Sequence, residues 1–377
     1  MRVPDRERLD SIQVLRAIAA IAVVAHHVFR ATTIAVQPPT NSLLVPGPSF
    51  VQLGALGVDV FFVISGFLMT YISEPYFSGR RSPLDFLAQR FIRIWPPYAV
   101  VTAFQCLVLV RHLPYEVPFD LHAHRMLSFL FMPTFNESGL LQPIIGPGWT
   151  LNYEMLFYVC FTVVLFMGRR LALLTLVVLL SFLFVLGNLV SNPVASEFLG
   201  SPLLFEFLIG AGIGFARKNG VIPRLSRIGA WACIAVAPIL LKLLYDFWPN
   251  RDERIVVYGI PATILFLGFS SINSSMKWPR WMTVLGDASY SIYLIHTLII
   301  YHVTAHTSEL CRIDLCTEAT VISSSLAIIA AALGGLIFHK TVEIPLIQKG
   351  KEVYWRRRRP KGENAASVPS APQPSQR

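Results

Sequence analysis

Two ionisable side chains in the first long apolar segment, Arg16 and His27, are spaced so that they could act on one ligand. They are 11 residues apart, and at 100° per residue an α-helix places His27 only about 20° away from Arg16. The neighbouring His26 lies about 80° off that face. The helical rise between Arg16 and His27 is roughly 16 Å, about half the thickness of a bilayer's hydrocarbon core. An ionisable group inside such a segment costs free energy, so the pair is predicted to be functional.

Two acidic residues enter later apolar segments from the same side as His27. Asp59 lies in the second segment and Glu154 in the fourth. Counting from the segment ends puts all three side chains roughly 5–9 Å below the outer surface. A histidine and two carboxylates at one depth could perform general acid–base chemistry. The alternative is that each is satisfied separately by a hydrogen bond between helices.

Basic side chains gather at the opposite surface. Arg90 and Arg93 are three residues apart, so they share one side of a helix at the cytoplasmic boundary. Together with Arg16 they could hold a phosphorylated cytoplasmic donor through charge-assisted hydrogen bonds. The alternative interpretation is that they are topology signals and anchors in lipid headgroups.

The apolar segments that position these residues dominate the sequence. Of 377 residues, 54% are hydrophobic and only 14% are charged, and the mean hydropathy is +0.56, whereas a soluble domain carries about 25% charged residues. We therefore predict an all-α, polytopic integral membrane helix bundle of about ten transmembrane helices. The predicted spans are residues 12–34, 53–73, 95–112, 150–167, 171–190, 202–217, 229–247, 255–272, 286–306 and 319–341.

The basic residues indicate how these spans are oriented. The net charge is +10, but the basic side chains lie in short loops and in the C-terminal tail, so no nucleic-acid partner is expected. Lys and Arg divide 24 to four between the side that holds both tails and alternate loops and the side that holds the other loops. The positive-inside rule then predicts a multi-pass protein of the inner (plasma) membrane with both termini cytoplasmic. The predicted parts are an N-terminal tail (1–11), a membrane domain (12–345) and a basic, then disordered, C-terminal tail (346–377).

Histidine and cysteine residues of the outer loops do not predict a metal centre. His112, His122 and His124 occur in or beside the longest outer loop, but no cysteine or acidic cluster completes a ligand set. Solvated or interfacial histidines are expected instead. Cys311 and Cys316 share another outer loop. The sequence is compatible with a local disulfide between them and with two free thiols.

Five motifs, in order along the chain, resemble those of the membrane acyltransferase 3 family. They are the Arg16-to-His27 spacing, GVDVFFVISGF at residues 57–67, RFIRIWP at 90–96, WTLNYE at 149–154 and SYSIYLIH at 289–296. Within the family, SIQVLRA at residues 11–17 and TLNYEMLFY at residues 150–158 most resemble the exopolysaccharide acetyltransferases of rhizobia.

The resemblance implies an O-acyltransferase that moves an acyl group, commonly acetyl from acetyl-CoA, to a sugar hydroxyl on the far side of the membrane. It assigns the family's key histidine to His27, its first-span arginine to Arg16 and its paired arginines to Arg90 and Arg93. The implied partners are acyl-CoA as donor substrate, the bilayer, and a glycan or lipid-linked oligosaccharide acceptor of an exopolysaccharide, nodulation factor or other surface glycan. No permanently bound cofactor is expected.

The mechanism and the function each leave alternatives open. Neutral His27 would remove a proton from the sugar hydroxyl as it attacks the thioester, with Asp59 or Glu154 fixing the tautomer of the imidazole. A transient acyl-histidine is a second route. The alternative function is a glycan or small-solute transporter, or an assembly component of a polysaccharide export system, although the sequence lacks the repeated halves common in transporters. The acceptor sugar, the acyl group and the oligomeric state are left open.

Overall fold

The computed structural model describes residues 10–36, 48–110, 119–248, 254–272, 276–310 and 316–358, and this part of the chain is helical without a β-strand. The prediction of an all-α fold is therefore confirmed. Its helices are α1 (Asp10–Val36), α2 (Pro48–Ile72), α3 (Glu74–Phe77), α4 (Pro83–Val110), α5 (Phe119–Phe129), α6 (Trp149–Met167), α7 (Ala172–Leu189), α8 (Pro193–Leu199), α9 (Leu203–Lys218), α10 (Arg227–Phe247), α11 (Ile260–Ser271), α12 (Arg280–Asp287), α13 (Ser289–Leu310), α14 (Cys316–Phe338) and α15 (Ile344–Arg358).

Eight helical segments of the described chain are long and apolar enough to cross a membrane. A ninth is the bent pair of α12 and α13, which meet at an angle of 73°. The shorter apolar segment Ile255–Ser271 lies where the eighth span is predicted. Each of the ten predicted spans thus has a helical counterpart, and the protein is a polytopic helical membrane protein.

The third span starts earlier than the sequence predicts. The prediction begins it at residue 95, whereas α4 begins at Pro83 and includes Arg90 and Arg93. The helix continues through Pro96 and Pro97, although proline lacks the backbone N–H of other helical residues. The predicted boundary excludes these two arginines because a charged side chain exposed to lipid costs free energy. In the structure they line a cavity inside the bundle, where charged groups can find partners.

The most closely packed helices form a row in the order α9, α2, α1, α13 and α14. Glycines allow the backbones to approach where these helices cross. A Cβ atom at Gly57 would lie 2.5 Å from the carbonyl oxygen of Ala19, and one at Gly66 would lie 2.0 Å from that of Phe207. The row places α1 between α2 and α13, in the middle of the bundle.

Two peripheral helices, α7 and α10, present most of their apolar side chains outward. Only 22% of α7 and 17% of the most apolar stretch of α10 is buried inside the protein. Leu174, Val178 and Phe182 of α7, and Ile239 and Leu243 of α10, are among the exposed side chains. Lipid acyl chains would cover such a surface.

Helix α15 continues beyond the predicted end of the membrane domain at residue 345. At the start of α4, Asp85 pairs with Arg358 and accepts a hydrogen bond of 2.6 Å from the hydroxyl of Tyr354. Gly350 of α15 lies against Ile92 of α4. The first part of the predicted tail is therefore a helix packed on α4. Residues 1–9, and residues 359–377 with their predicted disorder, lie outside the described residues.

We expect Gly210→Ala to destabilise the bundle, because an added Cβ atom would lie 2.0 Å from the carbonyl oxygen of Val63 where α9 crosses α2. Overpacking of this kind costs about 1–3 kcal/mol. The matched control is Gly212→Ala, where an added Cβ atom meets nothing within 4 Å and alanine favours the helix. Thermal unfolding in detergent should show a lower midpoint for Gly210→Ala alone. Equal midpoints would contradict the close crossing.

Candidate functional site

A cavity of about 100 Å³ lies inside the bundle among α1, α2, α4, α6 and α13. Its wall combines apolar side chains with hydroxyl groups and four charged groups. The polar lining residues are Arg16, Ser65, Arg90, Arg93, Thr150, Glu154, Tyr158, Ser289, Tyr290 and Tyr293. Charged side chains that face a cavity within spanning helices mark a functional site.

Three arginines converge on this cavity from two helices. Arg16 comes from α1, and Arg90 and Arg93 come from α4. Arg16 is buried, and its guanidinium donates a hydrogen bond of 3.2 Å to Oε1 of Gln13. The Nε atom of Arg90 is buried without a hydrogen-bond partner. The structure thus brings together the three arginines that the sequence places near the cytoplasmic surface.

Glu154 lies on the wall of the same cavity. Its Oε1 atom accepts a hydrogen bond of 3.1 Å from the hydroxyl of Ser65 and another from the hydroxyl of Tyr158. Among the described residues of the lining, Glu154 is the only acid beside the three arginines. Its surroundings are therefore those of the predicted donor site rather than those of the predicted acid–base site.

The expectation that His27 and the two acids share one depth is wrong. Helices α1 and α2 cross with Gly54 against His26, since an added Cβ atom at Gly54 would lie 2.5 Å from the Cβ atom of His26. Asp59 is five residues further along α2 and hence roughly 8 Å deeper. Ser65, the partner of the second acid, is roughly 9 Å deeper again. Counting from the span ends misses this because the helix contacts set the register of α1 against α2.

Asp59 belongs to a second buried group of charges. Its Oδ2 atom forms an ion pair of 3.0 Å with Nη2 of Arg254. Glu206 lies against the same carboxyl group, and both acids are fully buried. The guanidinium of Arg254 also lies over the ring of Tyr258, 5.1 Å from its centroid. A buried charge requires such pairing, so the charge partner of Asp59 is Arg254 rather than a histidine.

Sequence reasoning misses Glu206 and Arg254. Glu206 lies within the predicted sixth span, so the rule that singles out acids inside spans was sufficient to find it. Arg254 escapes because the predicted eighth span begins one residue later, which leaves this arginine in an outer loop. In the structure Arg254 immediately precedes the helical segment Ile255–Ser271, and its side chain reaches Asp59 on α2.

His27 lies in a cluster of three imidazoles. Its ring centroid is 5.2 Å from that of His26 on the same helix and 5.0 Å from that of His296 on α13. The ring of His296 lies 5.7 Å from that of Tyr293, which lines the cavity. His296 and Tyr293 therefore connect His27 with the arginine-lined cavity.

Within the described residues, no group of three His, Cys, Asp or Glu side chains is arranged to hold a metal ion. Of the loop histidines, His122 is exposed, whereas His124 is buried in α5 rather than solvated. His112 and Cys311 lie outside the described residues, as does the side chain of Cys316.

Comparison with known proteins relates the chain to acyltransferases. The acyltransferase domain of the acyltransferase 3 family matches residues 9–339. The exopolysaccharide production protein ExoZ of Rhizobium meliloti (strain 1021) is 34% identical over 313 residues, which cover 79% of this chain and 91% of ExoZ. No solved structure matches the chain significantly.

Two further relatives are more distant in sequence. Peptidoglycan O-acetyltransferase OatA of Listeria monocytogenes is 24% identical over 93% of this chain, and the match covers 58% of OatA. Acyltransferase MdmB of Streptomyces mycarofaciens is 24% identical over 92% of this chain and 93% of MdmB. Because the family match extends over most of its length, the chain belongs to the acyltransferase 3 family and is a membrane acyltransferase.

Proposed function

We propose that this chain transfers an acetyl group from acetyl-CoA, bound from the cytoplasmic side, to a sugar hydroxyl of an exopolysaccharide or of its lipid-linked precursor. The observation that carries the proposal is the convergence of Arg16, Arg90 and Arg93 on one cavity inside the bundle. The similarity to an exopolysaccharide production protein supports the acceptor class. Family membership favours the enzyme over a transporter or an assembly component.

The excess of positive charge in the cavity supports an anionic donor. Three guanidinium groups face one carboxylate, Glu154, which already accepts hydrogen bonds from Ser65 and Tyr158. Like charges in a medium of low dielectric constant repel one another strongly, so a bound anion would stabilise the cluster. Phosphate is suitable because guanidinium can hold it with two parallel hydrogen bonds. Acyl-CoA carries its phosphates at one end and its thioester at the other.

The course of α1 supports a route from the phosphates to the reacting atoms. Between Arg16 and His27 the helix rises roughly 16 Å. The cavity extends from the arginines to Tyr293, whose ring lies beside that of His296. The long, thin pantetheine arm of acyl-CoA could follow this route. Its thioester would then approach His27 while its phosphates stay with the arginines.

The proposed chemistry uses His27 as a general base. Neutral imidazole takes the proton of the sugar hydroxyl while the hydroxyl oxygen attacks the thioester carbonyl. The carbon–sulfur bond then breaks, and the imidazolium returns the proton to the leaving thiolate. An acyl-histidine formed first on His27 is the second route. Both routes need an imidazole in a defined orientation, with one nitrogen directed toward the reacting group.

The two acids have separate places in this proposal. Glu154 would compensate part of the positive charge of the arginine cluster when no donor is bound, since its carboxylate lines the same cavity. Asp59 would position the outer ends of α2, α9 and the segment Ile255–Ser271, because it is held between Arg254 and Glu206. Neither acid has a hydrogen bond to His27 among the bonds of the described residues.

The proposed location is the inner membrane, with both termini in the cytoplasm. The 24-to-four division of basic residues between the side that holds both tails and the opposite side supports this orientation. The membrane domain of residues 12–345 would then be followed on the cytoplasmic side by α15, which ends at Arg358. Donor from the cytoplasm would meet the arginine end of the cavity first.

Arg93→Gln should weaken donor binding, because it removes one charged partner of the phosphates while keeping a polar side chain. Losing a hydrogen bond to a charged group costs about 1.5–3 kcal/mol, so the KM for acetyl-CoA should rise roughly 10- to 100-fold. Arg170→Gln is the control, since Arg170 is exposed between α6 and α7. Initial-rate kinetics in lipid nanodiscs would measure both. An unchanged KM for Arg93→Gln would contradict the donor site.

His27→Ala should abolish acyl transfer because it removes the proposed base, while His26→Ala, the matched control, should retain it. Mass spectrometry of surface glycans from cells that express each variant would detect the acetyl group. Normal acetylation with His27→Ala, or loss with His26→Ala alone, would overturn the assignment. Complete loss of the glycan, rather than of its acetyl groups, would favour the transport or assembly function.

A further inference from the structure

His296 is the buried imidazole that faces His27 from α13. None of its surface is exposed, and its Nδ1 atom lies 2.6 Å from the backbone carbonyl oxygen of Tyr293. A carbonyl oxygen only accepts hydrogen bonds, so Nδ1 must be the donor and must carry the proton of the neutral ring. The Nε2 atom of His296 is then left with a lone pair and can only accept.

This Nε2 atom is buried and has no hydrogen-bond partner. A buried acceptor without a donor is unfavourable, and each such group in a native protein calls for an explanation. The ring of His27 lies nearby, with the two centroids 5.0 Å apart and the ring planes inclined at 47°. This separation leaves room for an N–H of His27 to reach Nε2 when the His27 ring is rotated, while His296 keeps its bond to Tyr293.

We propose that His296 is the positioning residue of His27. Its Nε2 atom accepts the N–H of His27 and so holds that imidazole in one tautomer, with the other nitrogen directed toward the sugar hydroxyl. This inference rests on the proposed function of His27 as the base. It gives His296 the role that the sequence assigns to Asp59 or Glu154, whose hydrogen bonds go to other partners.

The proton balance of the transfer needs no further group. The free nitrogen of His27 takes the hydroxyl proton as the oxygen–carbon bond forms, and it gives this proton to sulfur as the carbon–sulfur bond breaks. His296 stays neutral and accepts one hydrogen bond throughout. That bond is strongest while His27 is cationic, because charge-assisted hydrogen bonds are stronger than neutral ones. His296 therefore stabilises the transition state more than the resting enzyme.

Two amide substitutions at His296 separate the roles of its two nitrogen atoms. His296→Gln places an acceptor oxygen close to the position of Nε2. His296→Asn places a donor close to the position of Nδ1, but its side chain ends before Nε2. The control is His302→Asn, because His302 lies on the same helix and is exposed. Thermal unfolding of each variant in nanodiscs shows whether the bundle remains folded.

The kinetic test compares kcat with the KM for acetyl-CoA. We expect His296→Asn to lower kcat about 10- to 100-fold with little change in KM, since it removes a hydrogen bond to a group that becomes charged. His296→Gln should stay within about fivefold of the wild type, because an acceptor remains. A merely structural role would lower kcat equally in both variants. Equal losses, or a wild-type kcat for His296→Asn, would overturn the proposal.

A spectroscopic test does not depend on activity. In full-length protein labelled with ¹⁵N at histidine, the signals of His27 are those missing from His27→Ala. The wild type should show a single tautomer for His27, and His296→Asn should show a mixture. An unchanged tautomer in His296→Asn would overturn the proposal even if that variant were too unstable for kinetics.

The two proposals can fail separately. Acetylation by His27→Ala would overturn the proposed function and the role of His296 with it. If His27→Ala is inactive while His296→Asn is fully active with an unchanged His27 tautomer, only the positioning role of His296 is overturned.

Discussion

An ionisable side chain inside a bilayer must be paired, hydrated or bound to a ligand, because hydrocarbon offers neither counter-charge nor hydrogen bonds. The polar interior of this bundle follows from that constraint. Asp59 is paired with Arg254, and Glu154 accepts hydrogen bonds from two hydroxyl groups. The arginine cluster differs, since three guanidinium groups share a cavity with one carboxylate. In the proposed function, an anionic substrate supplies the negative charge that the cavity lacks.

The helix row α9–α2–α1–α13–α14 places residues of the candidate site next to one another. Close glycine crossings hold α1 between its neighbours, so the residues of α1 meet partners on both sides. Near its start, Arg16 joins the arginines of α4 around the cavity, and further along, His27 meets His296 of α13. One central helix therefore carries both a proposed donor-binding group and the proposed base. A rigid helix also keeps their separation constant, which suits a donor whose phosphates and thioester are far apart.

Properties that depend on one helix at a time can be predicted from the sequence. The all-α fold and the positions of the spans follow from long apolar runs, and the shared side of Arg90 and Arg93 follows from their spacing of three residues on one helix. Properties that depend on two helices cannot be predicted in this way. The register of α1 against α2 is set by backbone contacts at Gly54 and Gly57, and it separates His27 from Asp59. Arg254 cannot be recognised from the sequence for the same reason, because its role depends on its ion pair with Asp59 of another helix.

The proposed reaction requires donor and acceptor to enter from opposite sides, and this can be measured directly. Proteoliposomes can be sorted by the accessibility of the C-terminal tail to protease and then given labelled acetyl-CoA on one side only, with a soluble oligosaccharide acceptor on both sides. We expect labelled acceptor only when the donor is on the side of the tail, and we expect it to accumulate on the opposite side. Equal labelling with donor on either side, or labelling only with donor opposite the tail, would contradict donor binding at the arginine cluster.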